Sequence, residues 1–346
     1  MKLKLFIILI SLSFSDNSLS FKDRFETPFF IRCGITAGYN DNIFKFSNEE
    51  KNDFDSYNYM GSSLNYDSSI IKPELRILYS PYIFKNPTNF IFYTNVSNYG
   101  NVQDKSGQYY SLRFEYKNGP YNWFKIGYRF SPDNFLRYYV DDDIPEENYV
   151  KCNYASETIY LNYSLNFNRH SWGRIELSQS KQFLNPSFTE FDLNISGITF
   201  KYYYRYKPYN FNIRLSHFSA DNISYMSGLN STSFDRSYNE TQLKVSAKRK
   251  LEFLFKHLIL GYENRKRLYI SESEQDPLHS GRDHLEHIFS LSMMKELRYD
   301  MNIELKYRFR YRETNSDFDW VEELKSFSDN EILMKFTYDM DLDLFY

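Results

Sequence analysis

The sequence has little of what marks several common protein classes. Its 346 residues include only two cysteines, Cys33 and Cys152, which are too few for a scaffold held by disulfides. Cys33 lies on the apolar positions of an alternating segment, so we expect it to be a small apolar side chain rather than half of a bridge to Cys152. Beyond the N-terminus, no segment approaches the roughly 18 consecutive apolar residues of a transmembrane helix, which excludes a helical membrane protein. The net charge of −3 provides no basic surplus for binding nucleic acid.

Motifs for enzymatic chemistry are also missing. The chain has no phosphate-binding loop, zinc motif, dinucleotide fingerprint or Gly-x-Ser-x-Gly elbow. Ser280, Asp283 and His284 are close in sequence, but a catalytic triad depends on geometry rather than on sequence proximity. We therefore expect neither an enzyme nor a cofactor, although an enzyme site at the rim of the molecule stays open as a minor alternative.

Aromatic residues, in contrast, are abundant. The chain has 33 Tyr and 32 Phe, and aromatics make up 20% of it. Such enrichment suits the aromatic girdles that membrane β-barrels place at both lipid–water interfaces. Polar residues are compatible with this interpretation because one side of each barrel strand faces the interior.

The C-terminal segment alternates between apolar positions and positions that are mostly polar. The apolar positions are Ile332, Met334, Phe336, Tyr338, Met340, Leu342, Leu344 and Tyr346. Period-two alternation predicts a strand with one apolar face, and this segment is longer than the usual strand of about 5–6 residues. A bilayer offers the backbone no hydrogen-bond partners, so strands that span it survive only in closed barrels.

The same alternation recurs along the chain, with short turns and long polar loops in succession. Residues 110–116 and 124–130 alternate on either side of Lys117-Asn118-Gly119-Pro120, which is a hairpin signal. The long loops are predicted at about 41–57, 131–155, 183–191, 220–236, 269–283 and 312–328. The fold predicted is an all-β, transmembrane, antiparallel up-and-down barrel with short periplasmic turns and long extracellular loops. We expect about 14 strands, with residues 58–84 forming one long strand, or about 16 if residues 66–69 form a turn.

The N-terminus predicts export. Lys2 and Lys4 precede the apolar run Leu5 to Phe14, and Ser18-Leu19-Ser20 offers small residues for cleavage. We expect a cleaved signal peptide at residues 1–20 and a single barrel domain at residues 21–346. No cysteine lies near the cleavage site, so a lipid anchor is not expected. The predicted location is the outer membrane of a Gram-negative cell.

The polar positions of the predicted strands carry charges of both signs. The candidates for lining the lumen are Arg113, Glu115, Lys125, Arg129, Arg174, Glu176, Lys244, Glu304, Lys306, Arg308 and Arg310. These side chains would either line a water-filled pore and set its selectivity, or form a salt-bridged interior that conducts little. The sequence leaves both possibilities open.

The long loops are rich in carboxylates, and the short turns are rich in Lys and Arg. One run contains Asp141, Asp142, Asp143, Glu146 and Glu147, whose oxygens suit Ca²⁺ or Mg²⁺. The run lacks the glycine and spacing of an EF-hand loop, so a solvated acidic loop is the preferred interpretation and a metal site a weak one. An acidic outer rim would also enrich cations, which predicts a cation preference.

The segment Gly34-Ile35-Thr36-Ala37-Gly38-Tyr39-Asn40-Asp41-Asn42-Ile43-Phe44 resembles the first strand of a family of Gram-negative outer-membrane barrels. These are porin-type barrels, some of them linked to exopolysaccharide export, and their first strand ends in a Tyr-Asp-Asp-Asn-Ile-Phe-like motif. Asn40 departs from that pattern. The C-terminus, with Tyr338, Leu342, Leu344 and Tyr346, is similar to the signal read by the barrel assembly machinery. The resemblance implies an architecture and a location, and it transfers no catalytic residues.

The function predicted is a porin-like channel for polar solutes or saccharides. Its expected partners are outer-membrane lipid and lipopolysaccharide, the barrel assembly machinery, and a polysaccharide or small polar solute. One alternative is a structural or adhesive barrel with a filled lumen and functional surface loops. The others are an outer-membrane enzyme and a soluble secreted β protein.

Overall fold

A computed structural model describes residues 29–53, 55–119, 122–140, 148–223, 234–251, 254–271, 276–298 and 300–342. Several predictions lie outside these residues. They are the signal peptide at residues 1–20, the acidic run Asp141, Asp142, Asp143, Glu146 and Glu147, and the C-terminal Leu344 and Tyr346.

Most of the described chain is β-strand. The strands are β1 (Phe29–Asn40), β2 (Ser68–Tyr79), β3 (Tyr82–Ile83), β4 (Asn86–Tyr99), β5 (Gly107–Lys117), β6 (Trp123–Val140), β7 (Tyr149–Asn166), β8 (Ser171–Leu184), β9 (Leu193–Tyr206), β10 (Tyr209–Asn222), β11 (Tyr238–Lys250), β12 (His257–Tyr269), β13 (Asp283–Arg298), β14 (Met301–Asn315) and β15 (Phe327–Leu342). Two short helices, α1 (Asn48–Asn52) and α2 (Asp319–Lys325), lie in loops. Single 3₁₀ segments cover Asp55–Met60, Gln103–Lys105 and Pro186–Phe191. Within the described residues, no helix has the length and apolar character needed to cross a bilayer.

The strands form one antiparallel sheet that closes on itself. Each long strand pairs with its neighbours in sequence, and β2 pairs directly with β4 because β3 is only a short addition to the turn between them. The last strand, β15, returns to pair with β1, from Phe29 opposite Leu342 to Asn40 opposite Glu331. The result is a closed up-and-down barrel of fourteen long strands, which confirms the predicted fold class.

Alternation gives the barrel an apolar outer surface. On each strand, large apolar side chains on one parity are exposed, and the other parity carries most of the charged and buried polar groups. Exposed examples on successive strands are Leu112, Ile126, Ile159, Leu177, Ile198, Leu215, Leu243, Leu260, Phe289, Leu305 and Ile332. Such a band is what a lipid-facing barrel surface requires.

Two boundaries differ from the sequence prediction. The prediction of a single strand over residues 58–84 was wrong. β2 begins only at Ser68, and residues 55–67 belong to a loop with helical turns. The alternative count of about 16 strands fails for the same reason. The predicted loop 131–155 is also too long, since β6 continues to Val140 and β7 begins at Tyr149. Register shifts after Ser131 and Phe135 break the alternation there and hide the strand.

Both cysteines are unpaired. Cys33 is half-buried on β1, and Cys152 is buried on β7 among Leu184 and Phe188. The preference for apolar thiols over a bridge is confirmed.

Candidate functional site

The inner wall of the barrel is built from ion pairs between neighbouring strands. Glu115 on β5 is buried and forms ion pairs with Lys125 of β6 at 2.7 Å and with Arg113 at 2.9 Å. Asn89 of β4 donates a further hydrogen bond of 3.1 Å to Glu115. One carboxylate therefore joins three adjacent strands, and its charge is balanced by two basic side chains.

The structure places all the predicted lumen-lining residues on this inward parity. Glu176 of β8 forms ion pairs with Lys201 of β9 at 2.9 Å and with Arg129 of β6 at 3.7 Å. Arg174, on the same strand, donates to the Ser164 hydroxyl at 3.2 Å. The polar wall is thus continuous across β5 to β9.

The wall continues through the strands nearest the C-terminus. Lys244 of β11 pairs with Glu263 of β12 at 2.8 Å. Arg308 and Arg310 of β14 both reach Asp329 of β15, at 3.4 Å and 3.1 Å. The hydroxyl of Ser292 donates to Glu304, the remaining carboxylate among the predicted residues. Lys306 has no carboxylate within ion-pair distance among the described residues.

Sequence reasoning missed more of the charged wall residues than it found. Additional charged residues on the inward parity of the described strands include Arg32, Lys72, Glu74, Arg76, Lys201, Arg214, Glu240, Glu263, Arg265, Arg267, Glu286, Arg312, Asp329, Glu331, Lys335 and Asp339. The same alternation of apolar and polar residues marks these positions in the sequence. The register between strands shows that they face inward. Basic side chains outnumber carboxylates on this wall.

The segment after β1 turns into the barrel instead of leaving it. The fully buried side chain of Asn42 accepts from the Phe46 backbone N–H and donates to the carbonyl oxygens of Phe46 and Ser328, at 2.8, 2.8 and 2.9 Å. The Asp41 carboxylate accepts from the backbone and side-chain nitrogens of Asn330. The first-strand motif thus ties the start of this loop to β15.

Behind these anchors lies a group of buried apolar side chains that we call the mouth cluster: Ile43, Phe44, Phe46, Met60, Val102 and Phe135. Its members come from the loop after β1, the loop after β4, and β6. The mouth cluster therefore narrows the end of the barrel at which the long loops lie.

Arg137 of β6 holds the same loop in place. Its guanidinium donates to both carboxylate oxygens of Glu50 on α1, at 2.5 and 3.3 Å. It also donates to the backbone oxygens of Phe44 at 3.0 Å and Lys45 at 2.8 Å. Glu50 completes a capping box with Ser47, so one side chain both begins α1 and fixes it to the wall.

Three lysines from three different loops lie near Arg137 or Arg310 at this mouth. Burial, with Arg310 and Arg312 of β14, lowers the pKa of Lys45. Burial, with Arg137 and Arg310, lowers the pKa of Lys105 to about 8. Burial, with Arg137 and Arg282, lowers the pKa of Lys325 on α2 to about 8.

No catalytic constellation forms from the residues that lie together in sequence. His284 interacts with the Thr314 hydroxyl at 2.9 Å, and its neighbour Asp283 lies on the opposite strand parity. The ring of His279 lies 2.9 Å from Asp276 in the preceding loop. Among the described residues, no three His, Cys, Asp or Glu side chains are grouped as metal ligands.

The described strands form a closed antiparallel barrel with an apolar exterior and a charged interior. The chain is a closed up-and-down β-barrel whose apolar outer band suits a lipid environment. No family model and no curated protein sequence matches it.

Solved structures with a similar fold include two described as outer-membrane proteins. OmpT of Vibrio cholerae is 10% identical with a TM-score of 0.44, and the match covers 90% of this chain and 96% of OmpT. The outer membrane channel DcaP of Acinetobacter baumannii is 10% identical with a TM-score of 0.48, covering 91% of this chain and 96% of DcaP. OccAB3 of Acinetobacter baumannii is 8% identical with a TM-score of 0.42, covering 92% of this chain and 100% of OccAB3.

Proposed function

We propose that this barrel is a passive channel through the outer membrane for small polar solutes, including saccharides. The supporting observation is the solvent exposure of the inner wall. The side chains of Arg129 and Lys244 are 38% and 37% exposed to solvent, although they point into a closed barrel. A filled interior would bury these groups, whereas a water-filled lumen keeps them hydrated and lets them act on passing solutes.

The same proposal includes the route to the membrane. Residues 1–20 act as a cleaved signal, and residues 21–346 form the mature barrel. The barrel assembly machinery reads Tyr338, Leu342, Leu344 and Tyr346, of which Tyr338 lies on the outward parity of β15. The apolar outer band contacts outer-membrane lipid and lipopolysaccharide.

The proposal is tested by single-channel recording of refolded residues 21–346 in a planar bilayer. We expect discrete, stable conductance steps that appear only with folded protein, as judged by a heat-dependent shift in gel mobility. The boiled, unfolded sample is the matched control. A folded barrel that never conducts contradicts the channel proposal.

The mouth cluster favours one second candidate, a structural or adhesive barrel that works through its loops. Because Phe44, Phe46 and Phe135 are almost completely buried, apolar side chains fill part of the narrowed end. If the wild-type barrel is closed and a variant lacking residues 48–60 conducts, the filled-mouth candidate is supported. A conducting wild-type barrel excludes it.

We propose no catalytic role. A rim enzyme would need acid–base groups within hydrogen-bond reach of one another and open to a substrate. The pair closest to this, Asp276 and His279, is buried. Hydrolytic activity of the refolded barrel that is lost on substituting His279 would contradict this proposal.

A further inference from the structure

The wall of the lumen carries more basic than acidic side chains, although the net charge of the whole sequence is −3. Every inward carboxylate named above except Glu304 has a Lys or Arg partner, and Glu263 and Glu286 each have two. Several inward cations lack such a partner among the described residues: Lys72, Arg76, Arg214 and Lys306. The carboxylates are therefore neutralised, and the remaining field is positive.

Two of these unpaired cations, Lys306 and Arg76, line two separate cavities in the wall. The first, about 150 Å³ in volume, lies against β11 to β14. Five basic side chains and one carboxylate, Glu263, contribute to its lining. Gly261 and Ser290 both line it. A Cβ at residue 261 would lie only 2.5 Å from the Ser290 hydroxyl oxygen, so the glycine leaves this space free. Lys306 contributes a charge with no ion-pair partner.

The second cavity lies on the arc of wall formed by β15, β1, β2 and β4 to β7. Its volume is about 350 Å³, and it is lined by five basic side chains and one carboxylate, Glu74. Tyr93 donates to Glu74 at 3.2 Å, and Lys335 pairs with the same carboxylate at 2.5 Å. Arg76 has no carboxylate partner among the described residues and contributes an uncompensated charge here too.

We propose that the channel prefers anions, and that these two cavities bind the carboxylate or phosphate groups of anionic solutes in transit. The inference rests on the proposed channel function. Rings of Arg and Lys select anions in pores, and the planar guanidinium fork matches carboxylate and phosphate oxygens. Two sites on different arcs of one wall let a solute move from one to the other, which keeps binding compatible with passage.

This proposal reverses the cation preference expected from the acidic loops. Loop carboxylates act at the rim, where water and salt screen their field over about 8–10 Å. The wall charges face water enclosed by low-dielectric protein walls, which focus their field. The wall therefore determines the sign of the selectivity.

The test is the reversal potential of the refolded barrel in a bilayer with a KCl gradient. We expect chloride to permeate several-fold better than potassium. The double variant Lys306→Gln/Arg76→Gln, which removes one unpaired cation at each cavity, should lower that ratio. The matched control is Lys266→Gln, which removes an exposed charge from the outward parity of β12 and should leave the ratio unchanged.

Citrate and phosphate test the cavities themselves. Added to one side, each should interrupt the chloride current in a concentration-dependent way, and the double variant should need a higher concentration. Sucrose, an uncharged solute, should not distinguish the variants. A conducting barrel that prefers potassium overturns this inference and leaves the channel intact, whereas a folded barrel without conductance overturns the channel proposal itself.

Discussion

At the scale of single residues, Arg137 connects the loop after β1 to the wall. It forms four hydrogen bonds to Glu50, Phe44 and Lys45, and the Glu50 carboxylate is buried. Breaking a buried ion pair from one side typically costs about 3–5 kcal/mol, because the remaining charge has no partner. The attachment of α1 therefore depends strongly on this one guanidinium.

We expect Arg137→Gln to release α1 from the wall and to raise both the conductance and the open-channel current noise. Single-channel recordings at fixed voltage and salt measure this effect. Arg249→Gln, which removes an exposed cation at the other end of the barrel, is the matched control. Identical conductance and noise in wild type and Arg137→Gln would contradict the assigned role.

Lys105 and Lys325 predict a pH dependence. Burial lowers the pKa of each to about 8, with nearby Arg137 acting in the same direction. Raising the pH through that value removes positive charge from the mouth. The chloride preference should therefore fall between about pH 7 and pH 9, far below the range in which an ordinary lysine titrates.

Reversal potentials at both pH values test the lysine prediction. The double variant Lys105→Arg/Lys325→Arg keeps its charge throughout and should show a smaller change. An equal change in the variant and the wild type would assign the pH dependence to other groups.

At the scale of elements, the loop after β1 is fixed to the barrel wall at several points. Asn42 and Asp41 fix its start, Arg137 fixes its helix, and the mouth cluster fills the space between. The strands alone would leave this end open, since a wall of fourteen strands is wide enough for an aqueous lumen.

Replacing residues 48–60 by a short Gly-Ser linker should therefore increase the single-channel conductance and allow larger uncharged solutes to pass. Conductance in the presence of polyethylene glycols of graded size measures the effective diameter. The same replacement at residues 186–191, a loop outside the mouth cluster, is the control. An unchanged diameter in the 48–60 variant would show that the constriction lies elsewhere.

The elements that alternate without interruption are those that sequence reasoning predicted well. β5, β14 and β15 keep a strict period of two, so both their existence and their inward faces could be predicted. β6 could not be followed to its end because two register shifts break the alternation. The start of the predicted strand over residues 58–84 was wrong, because Met60 is buried in the mouth cluster instead.

At the scale of the whole molecule, the seam between β1 and β15 closes the barrel. Gly38 lies opposite Leu333, and a Cβ at residue 38 would lie 2.2 Å from the backbone oxygen of Ile332. This contact is with backbone rather than with a flexible side chain, so a larger residue would push the two strands apart.

We expect Gly38→Val to prevent stable closure of the barrel. The measurement is the heat-dependent mobility shift after refolding, together with urea titration of the folded band. Ala37→Val, one position away on the outward parity, is the control and should fold. A Gly38→Val barrel as stable as wild type would contradict the close approach at the seam.

The sequence by itself determined the fold class and much of the wall, because period-two alternation and local turn signals are properties of neighbouring residues. Arg113, Glu115, Lys125 and Glu176 could be assigned to one face without knowledge of any partner. Tertiary structure alone decided which charges neutralise each other, since Glu263 and Arg265 meet partners on other strands. It also decided that the loop after β1 enters the mouth, because Asn42 reaches Ser328 from a distant part of the chain. Selectivity and lumen width depend on these long-range contacts, which no local pattern encodes.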